Sequence, residues 1–163
     1  MLYLSLWFVN SLGNTPRVMS LRQPDRKMSK SDQSSHATIN VTDGPDVIRS
    51  KISKAVTDSQ PFISYNNSTR PGVSNLLNIY SAFSDRSHAD ICKDYEDVKF
   101  FTDQFKHDLT DLIVSELANI RREAAELEKN LGYVKLVLDK GRNIAVEMAE
   151  MCLKEVRKLV GLS

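Results

Sequence analysis

Cysteine is scarce: Cys92 and Cys152 are the only two in 163 residues. Both lie in helix-like stretches with neither ligand nor redox spacing, so they read as half-buried thiols in a reducing compartment. An excess of charge of one sign is also lacking, since 22 Lys and Arg against 21 Asp and Glu leave a net charge of +1. Any contact with nucleic acid must then come from local patches. Long hydrophobic runs are missing too. The apolar stretch Leu2 to Val9 is far too short to span a bilayer. It has no basic n-region and no small-residue cleavage site, and it is not the Arg-rich, Ser-rich segment of a mitochondrial transit peptide. It reads as an unpaired apolar strand cut from its context. The sequons at Asn40, Asn66 and Asn67 carry no meaning without secretion. His36, His88 and His107 form no cluster and suit neither a metal nor a base role.

What is present is enough hydrophobic residue, 41% of the chain, for a core, in a length that suits one domain or one domain plus part of another. The most informative stretch is Lys27-Met28-Ser29-Lys30-Ser31, followed by Asp32. Two lysines three positions apart, flanked by hydroxyl residues between Pro24 and the polar run Gln33-Ser34-Ser35-His36, form an exposed mobile loop. Each ammonium is a compact charge on a flexible stem, suited to following negative charge as it shifts on a polyphosphate.

Around that loop, residues 1–15 fit no motif, Arg17 to Leu21 is strand-like, and Ala37 to Val41 alternates as a short strand would. Thr42-Asp43-Gly44-Pro45 starts a helix with a capping acid and a first-turn proline. This helix is expected to run to about Thr57, with Val47, Ile48, Ile52, Ala55 and Val56 inward and Arg49, Lys51 and Lys54 solvated. Phe62 to Tyr65 is extended and Asn66 to Thr69 a turn. Arg70-Pro71-Gly72-Val73-Ser74-Asn75-Leu76-Leu77 then opens a helix, sharply at Pro71 and Gly72, with Ser74 and Asn75 bonding backbone near the first turn. Ser87 and Asp90 form a capping box.

Beyond residue 85 the chain reads as helical throughout. A long helix begins near Val98 and carries Phe101, Phe105, Leu109, Leu112, Ile113, Ile120, Ala124 and Leu127 at spacings of three and four. A break is expected through Asn130-Leu131-Gly132, a stop at Gly141, and a last helix over Arg142 to Val160 with Ile144, Met148, Met151, Cys152, Val156 and Leu159 inward. Lys154, Arg157 and Lys158, mixed with Glu147, Glu150 and Glu155, make a solvated face.

Lys-Met-Ser-Lys-Ser resembles the second signature of the class I aminoacyl-tRNA synthetases. Three further stretches resemble the tryptophanyl branch: Arg17-Val18-Met19-Ser20-Leu21 before a Pro-containing turn, the run from Asp43 to Asp58, and Arg70-Pro71-Gly72-Val73-Ser74-Asn75-Leu76. Phe105-Lys106 and Ile120-Arg121 sit where the family has such pairs, although Asn119 stands where the family often has proline, which favours an unbroken helix. The resemblance covers Arg17 to about Leu162. Lysine at position 30 points to the bacterial and organellar form, and so to the mitochondrial matrix in a eukaryote or the cytoplasm in a bacterium.

The resemblance implies a mostly α fold: after an apolar leader over 1–15 that is unrelated to the family, the C-terminal end of a class I Rossmann-type catalytic domain over 16–70, and an all-helical anticodon-binding domain over 71–163. It implies a tryptophan–tRNA ligase acting on tryptophan, ATP with Mg²⁺, and tRNA(Trp), homodimeric at full length and with no membrane partner. Lys27 and Lys30 would stabilise charge on the pyrophosphate leaving group. Met28, Ser29 and Ser31 would contact ATP, and Val18 would lie at the adenine. The family's first signature, a His-containing motif, and its parallel sheet do not occur here, so a truncated chain inactive by itself is expected. A non-catalytic tRNA-binding or subunit-interaction module is the alternative.

Overall fold

A computed structural model describes residues 17–98 and 101–162. The apolar leader expected over 1–15 lies outside the described residues. Five helices account for most of the rest: α1 Pro45–Ser53, α2 Pro71–Ser84, α3 His88–Lys93, α4 Phe101–Lys129 and α5 Leu131–Leu159. The expected strand at Ala37 to Val41 does not form. Among the described residues, β pairing is confined to one antiparallel bridge between Met19 and Lys27.

Two compact units divide the chain, one through Arg121 and one from Arg122. In the first, Leu21, Ile48, Ile52, Ala55, Ile63, Val73, Leu76, Leu77, Ile79, Ile91, Tyr95, Phe105, Leu109 and Ile113 make a single buried cluster. It draws on residues from both sides of position 70.

α1 is shorter than expected, ending at Ser53 rather than Thr57. Pro45 occupies its first turn as read, but the N-cap is Gly44, which has no side chain to accept from the first-turn N–H groups. The acid Asp43 instead accepts from the Asn40 N–H and the Lys51 ammonium. Ile48, Ile52 and Ala55 are buried, whereas Val47 and Val56 are exposed. Lys51, expected on the solvated face, is buried. The reason is tertiary: its ammonium meets the Asp43 carboxylate, so the charge is paired where it leaves water.

The start of α2 is fixed by close approach. A Cβ at Gly72 would stand 2.3 Å from the carbonyl oxygen of Val56, so only glycine lets this helix lie against that backbone. Arg70, just before it, is buried and makes four hydrogen bonds. It grips both Asp58 oxygens at 2.9 and 2.8 Å and donates to the Phe62 carbonyl and Ser64 Oγ, each at 2.8 Å. A buried guanidinium with each of these donors satisfied pins the irregular stretch from Asp58 to Ser64 onto α2. α2 ends at Asp85, whose φ of 54° is the left-handed conformation that Asp tolerates better than most residues. Ser87 caps α3 as read, accepting from the Asp90 N–H at 3.2 Å while its hydroxyl donates to the Asp90 carboxylate at 2.6 Å.

α4 runs without a break past Asn119, as that residue implied. In the second unit the expected stop at Gly141 is absent and the break shrinks to Asn130, whose side chain accepts from the Tyr133 N–H at 3.2 Å to cap α5. A lone glycine costs a helix only about 1 kcal/mol relative to alanine, less than the hydrogen bonds a break would lose. None of α5 is buried: Ile144, Met148, Met151, Cys152, Val156 and Leu159, expected inward, are exposed. Cys92 is half-buried as expected.

Candidate functional site

The lysine loop is rooted in a small hairpin. Ser20 N–H donates to the Arg26 carbonyl at 2.8 Å and Met28 N–H to the Val18 carbonyl at 3.0 Å. The turn between them is shaped by Ser20, whose buried hydroxyl accepts from the Arg22 and Gln23 N–H groups at 3.3 and 3.2 Å. Val18 and Met28 are half-buried and pack against the core. Lys27, Ser29, Lys30 and Ser31 are exposed. Two apolar side chains thus anchor the stretch, and the four polar ones between and after them face solvent.

The loop itself is a sequence of tight turns. Asp32 N–H donates to the Ser29 carbonyl at 3.1 Å, Ser31 N–H to Ser29 Oγ at 3.3 Å, and Ser34 N–H to Asp32 Oδ1 at 2.9 Å. Thr38 Oγ1 donates to the Ser29 carbonyl at 2.8 Å and ties the middle of the loop to its exit. Short Ser and Asp side chains suit these turns because they bond their own backbone two residues on.

Beyond the exit, Asp43 gathers three elements. Its carboxylate accepts from the Asn40 N–H at 2.8 Å and from the Lys51 ammonium of α1, while its carbonyl accepts from Arg121 of α4 at 3.2 Å. Burial works to raise the Asp43 pKa, but the hydrogen bonds from Lys51 and Asn40 outweigh it and hold the carboxyl below its usual value. At the other end of α1, Lys106 of α4 donates to the Ser53 and Ala55 carbonyls at 3.1 and 2.8 Å. A cation there complements the helix dipole and uses carbonyls that would otherwise be unpaired. Burial pushes the Lys106 ammonium pKa down, with Asp103 acting the other way. α4 therefore passes α1 in the opposite direction and holds both of its ends.

Between the loop and α1 lies an open cleft of about 560 Å³. Ser29, Lys30, Asp32 and His36 line one wall, and Asp46, Val47, Ser50 and Lys51 the other. Among the described residues no three His, Cys, Asp or Glu side chains converge as a metal cage would require. Two exposed ammonium groups on a turn with a fixed base can meet a polyanion without reorganising the fold beneath them.

Of the residues expected at a site, the structure brings Val18, Lys27 and Met28 together through the hairpin and sets Ser29, Lys30 and Ser31 on the adjoining turn. The residues that hold this arrangement carry no such signal in the sequence: Thr38, Asp43 with Lys51, and Lys106. Lys106 and Arg121 were singled out only as members of pairs. The one signal available for Lys51 was its position, three residues past Ile48 and one before Ile52, beside the buried stripe.

Comparison with known proteins accounts for most of the chain. The Rickettsia prowazekii tryptophan–tRNA ligase is 43% identical over 145 residues, 89% of this chain and 43% of that protein. The Listeria monocytogenes tryptophan–tRNA ligase is 43% identical over 151 residues, 90% of this chain and 43% of that one. The chain thus spans less than half the length of these curated relatives. Both are bacterial, so the mitochondrial location expected for a eukaryotic source finds no support in them. Among solved structures, the Campylobacter jejuni tryptophanyl-tRNA synthetase matches with a TM-score of 0.66 over 91% of this chain and 44% of that one, at 24% identity. The Mycoplasma pneumoniae tryptophanyl-tRNA synthetase matches with a TM-score of 0.56 over 68% of this chain and 35% of that one, at 31% identity. The sequence model for tRNA synthetases class I (W and Y) matches residues 5–118. With the signature loop, its hairpin, α1, α2 and the first part of α4 falling inside that match, the chain belongs to the class I tRNA synthetases of the W and Y family.

Proposed function

We propose that this chain is the loop-bearing part of a tryptophan–tRNA ligase, and that Lys27 and Lys30 act on the polyphosphate of ATP. The observation that carries this reading is the contrast along the signature. Val18 and Met28 are anchored in the core while Lys27, Ser29, Lys30 and Ser31 are presented to solvent from a hairpin with a fixed base.

In the activation step tryptophan's carboxylate attacks the α-phosphorus of ATP, and pyrophosphate leaves with the bridging electrons. Mg²⁺ enters with the nucleotide as part of the substrate. As negative charge builds on the leaving group, the Lys27 and Lys30 ammonium groups meet it. A contact made more strongly there than in the ground state lowers the barrier. Ser29 and Ser31 donate hydrogen bonds to the nucleotide, Met28 sets their backbone, and Val18 lies at the adenine. The tryptophanyl group then passes to tRNA(Trp). Residues 16–70 are the end of the catalytic domain and 71–163 the anticodon-binding part, in a homodimeric full-length enzyme working in the bacterial cytoplasm.

A chimera tests this. Residues 17–163 joined to the portion of the Rickettsia prowazekii ligase that the chain does not span should catalyse tryptophan-dependent ATP–pyrophosphate exchange, and the 163-residue chain alone should not. Lys27→Ala or Lys30→Ala should each lower kcat by about 10²–10³, as loss of one preorganised charged contact does, with the KM for tryptophan unchanged. A folded chimera without exchange, or exchange indifferent to both lysines, would refute the proposal.

A further inference from the structure

Asn75 lies on α2, 56 positions after Met19, yet its carboxamide takes both polar groups of that residue's backbone. Met19 N–H donates to Asn75 Oδ1 at 2.9 Å, and Asn75 Nδ2 donates to the Met19 carbonyl at 2.8 Å. The reason lies in the hairpin register. Because the bonds run from Ser20 to Arg26 and from Met28 to Val18, Met19 and Lys27 face each other as a non-hydrogen-bonded pair. In such a pair the N–H and C=O of each residue point away from its partner. Those of Met19 need a third strand, and among the described residues there is none.

The outer edge is instead assembled from separate pieces. Leu21, two residues on, gives its N–H to the Ala37 carbonyl at 3.0 Å and takes the Val56 N–H at 2.8 Å. At Met19 a side chain does the same work, and Asn75 is buried to within 2% exposure while doing it. An apolar side chain of similar size would fill the space and leave two backbone groups without partners. Gly72 stands one turn earlier on the same face of α2, against the backbone of Val56. The helix is thereby held at the depth where the carboxamide reaches Met19.

We propose that Asn75 is a positioning residue for the lysine loop: by standing in for a third strand at Met19, it fixes the hairpin backbone that presents Lys27. Its bearing on nucleotide rests on the polyphosphate reading given above; its bearing on the hairpin does not.

Amide hydrogen exchange and nucleotide titration by NMR on the 163-residue chain test both parts. Asn75→Ala should speed exchange at Ser20 and Met28 by tenfold or more, about the factor that 1.4 kcal/mol represents, while Leu109 and Ile113 in α4 keep their protection. Asn75→Leu, which fills the space but offers neither donor nor acceptor, should do the same. Thr110→Val removes a buried polar group elsewhere, a hydroxyl donating to the Lys106 carbonyl at 2.7 Å, and should leave Ser20 and Met28 unchanged. With MgATP added, the Lys27 to Ser31 amides of the unsubstituted chain should shift. Apparent Kd should rise in Asn75→Ala in proportion to the lost competent fraction. Unchanged exchange at Ser20 and Met28 in both Asn75 variants, or an equal effect from Thr110→Val, would overturn the assignment. No response of the unsubstituted loop to MgATP would instead count against the polyphosphate reading, and the exchange comparison would still decide the role of Asn75.

Discussion

Gly72→Ala is the substitution whose cost can be worked most directly from the structure. The added carbon would lie 2.3 Å from the Val56 carbonyl oxygen and 3.1 Å from its carbon. Close carbon–oxygen contacts in proteins sit at about 3.3–3.6 Å, so one side must move by about 1 Å. Both sides are backbone. Val56 cannot yield alone, since its N–H is bonded to the Leu21 carbonyl at 2.8 Å. Nor can α2 withdraw freely, because Val73, Leu76 and Leu77 are buried in the core. Overpacking of this kind costs about 1–3 kcal/mol. Against it stands the gain of alanine over glycine in a helix, at most about 1 kcal/mol. The net expectation is a loss of about 1–2 kcal/mol, read as a fall in the urea midpoint of about 0.5–1 M at unchanged slope. Gly141→Ala is the control. Its added carbon meets nothing within 4 Å inside α5, so it should leave the midpoint equal or raise it. A Gly72→Ala midpoint at or above that of the unsubstituted chain would show that α2 does not lie against Val56 as described.

Lys106→Met keeps the stem and removes the cation at the end of α1; losing two charge-assisted bonds to the Ser53 and Ala55 carbonyls should cost about 1–2 kcal/mol by urea denaturation. No loss would mean that water replaces the ammonium fully. Stability should fall in two steps as the solution is acidified. Burial pushes the His88 pKa below its ordinary 6.5, so the neutral ring contributes stability above that value which is lost as pH drops beneath it. The Arg70 hydrogen bond holds Asp58 below 3.8, with burial opposing, so its contribution is present above pH 4 and lost as pH falls further. His88→Gln should flatten the upper step and leave the lower one; a profile unchanged by that substitution would refute the assignment.

How much of this could be read from the sequence depends on the distance over which each feature is decided. Helix periodicity and end signals are local, and they placed α2, α3 and α4 well: Pro71 at a first turn, the Ser87–Asp90 cap, and a helix uninterrupted at Asn119. The signature was also legible as a mark of the family, because its residue types and their order are local. Lys51 was misread because a charged residue beside an apolar stripe is ordinarily solvated, and only the return of Asp43 across one turn of fold buries it. The stop at Gly141 was misread because a glycine weakens a helix without ending it.

Local patterns fixed which residues carry positive charge on a short polar turn, and the run of neighbouring phrases fixed the family. The tertiary structure alone decided what holds that turn in place. Met19's register leaves its backbone facing outward, and α2 brings Asn75 to it from 56 residues away. α4 spans α1 with Lys106 and Arg121. Contacts of this kind depend on which surfaces meet after the chain has folded, and nothing in the neighbouring letters specifies them.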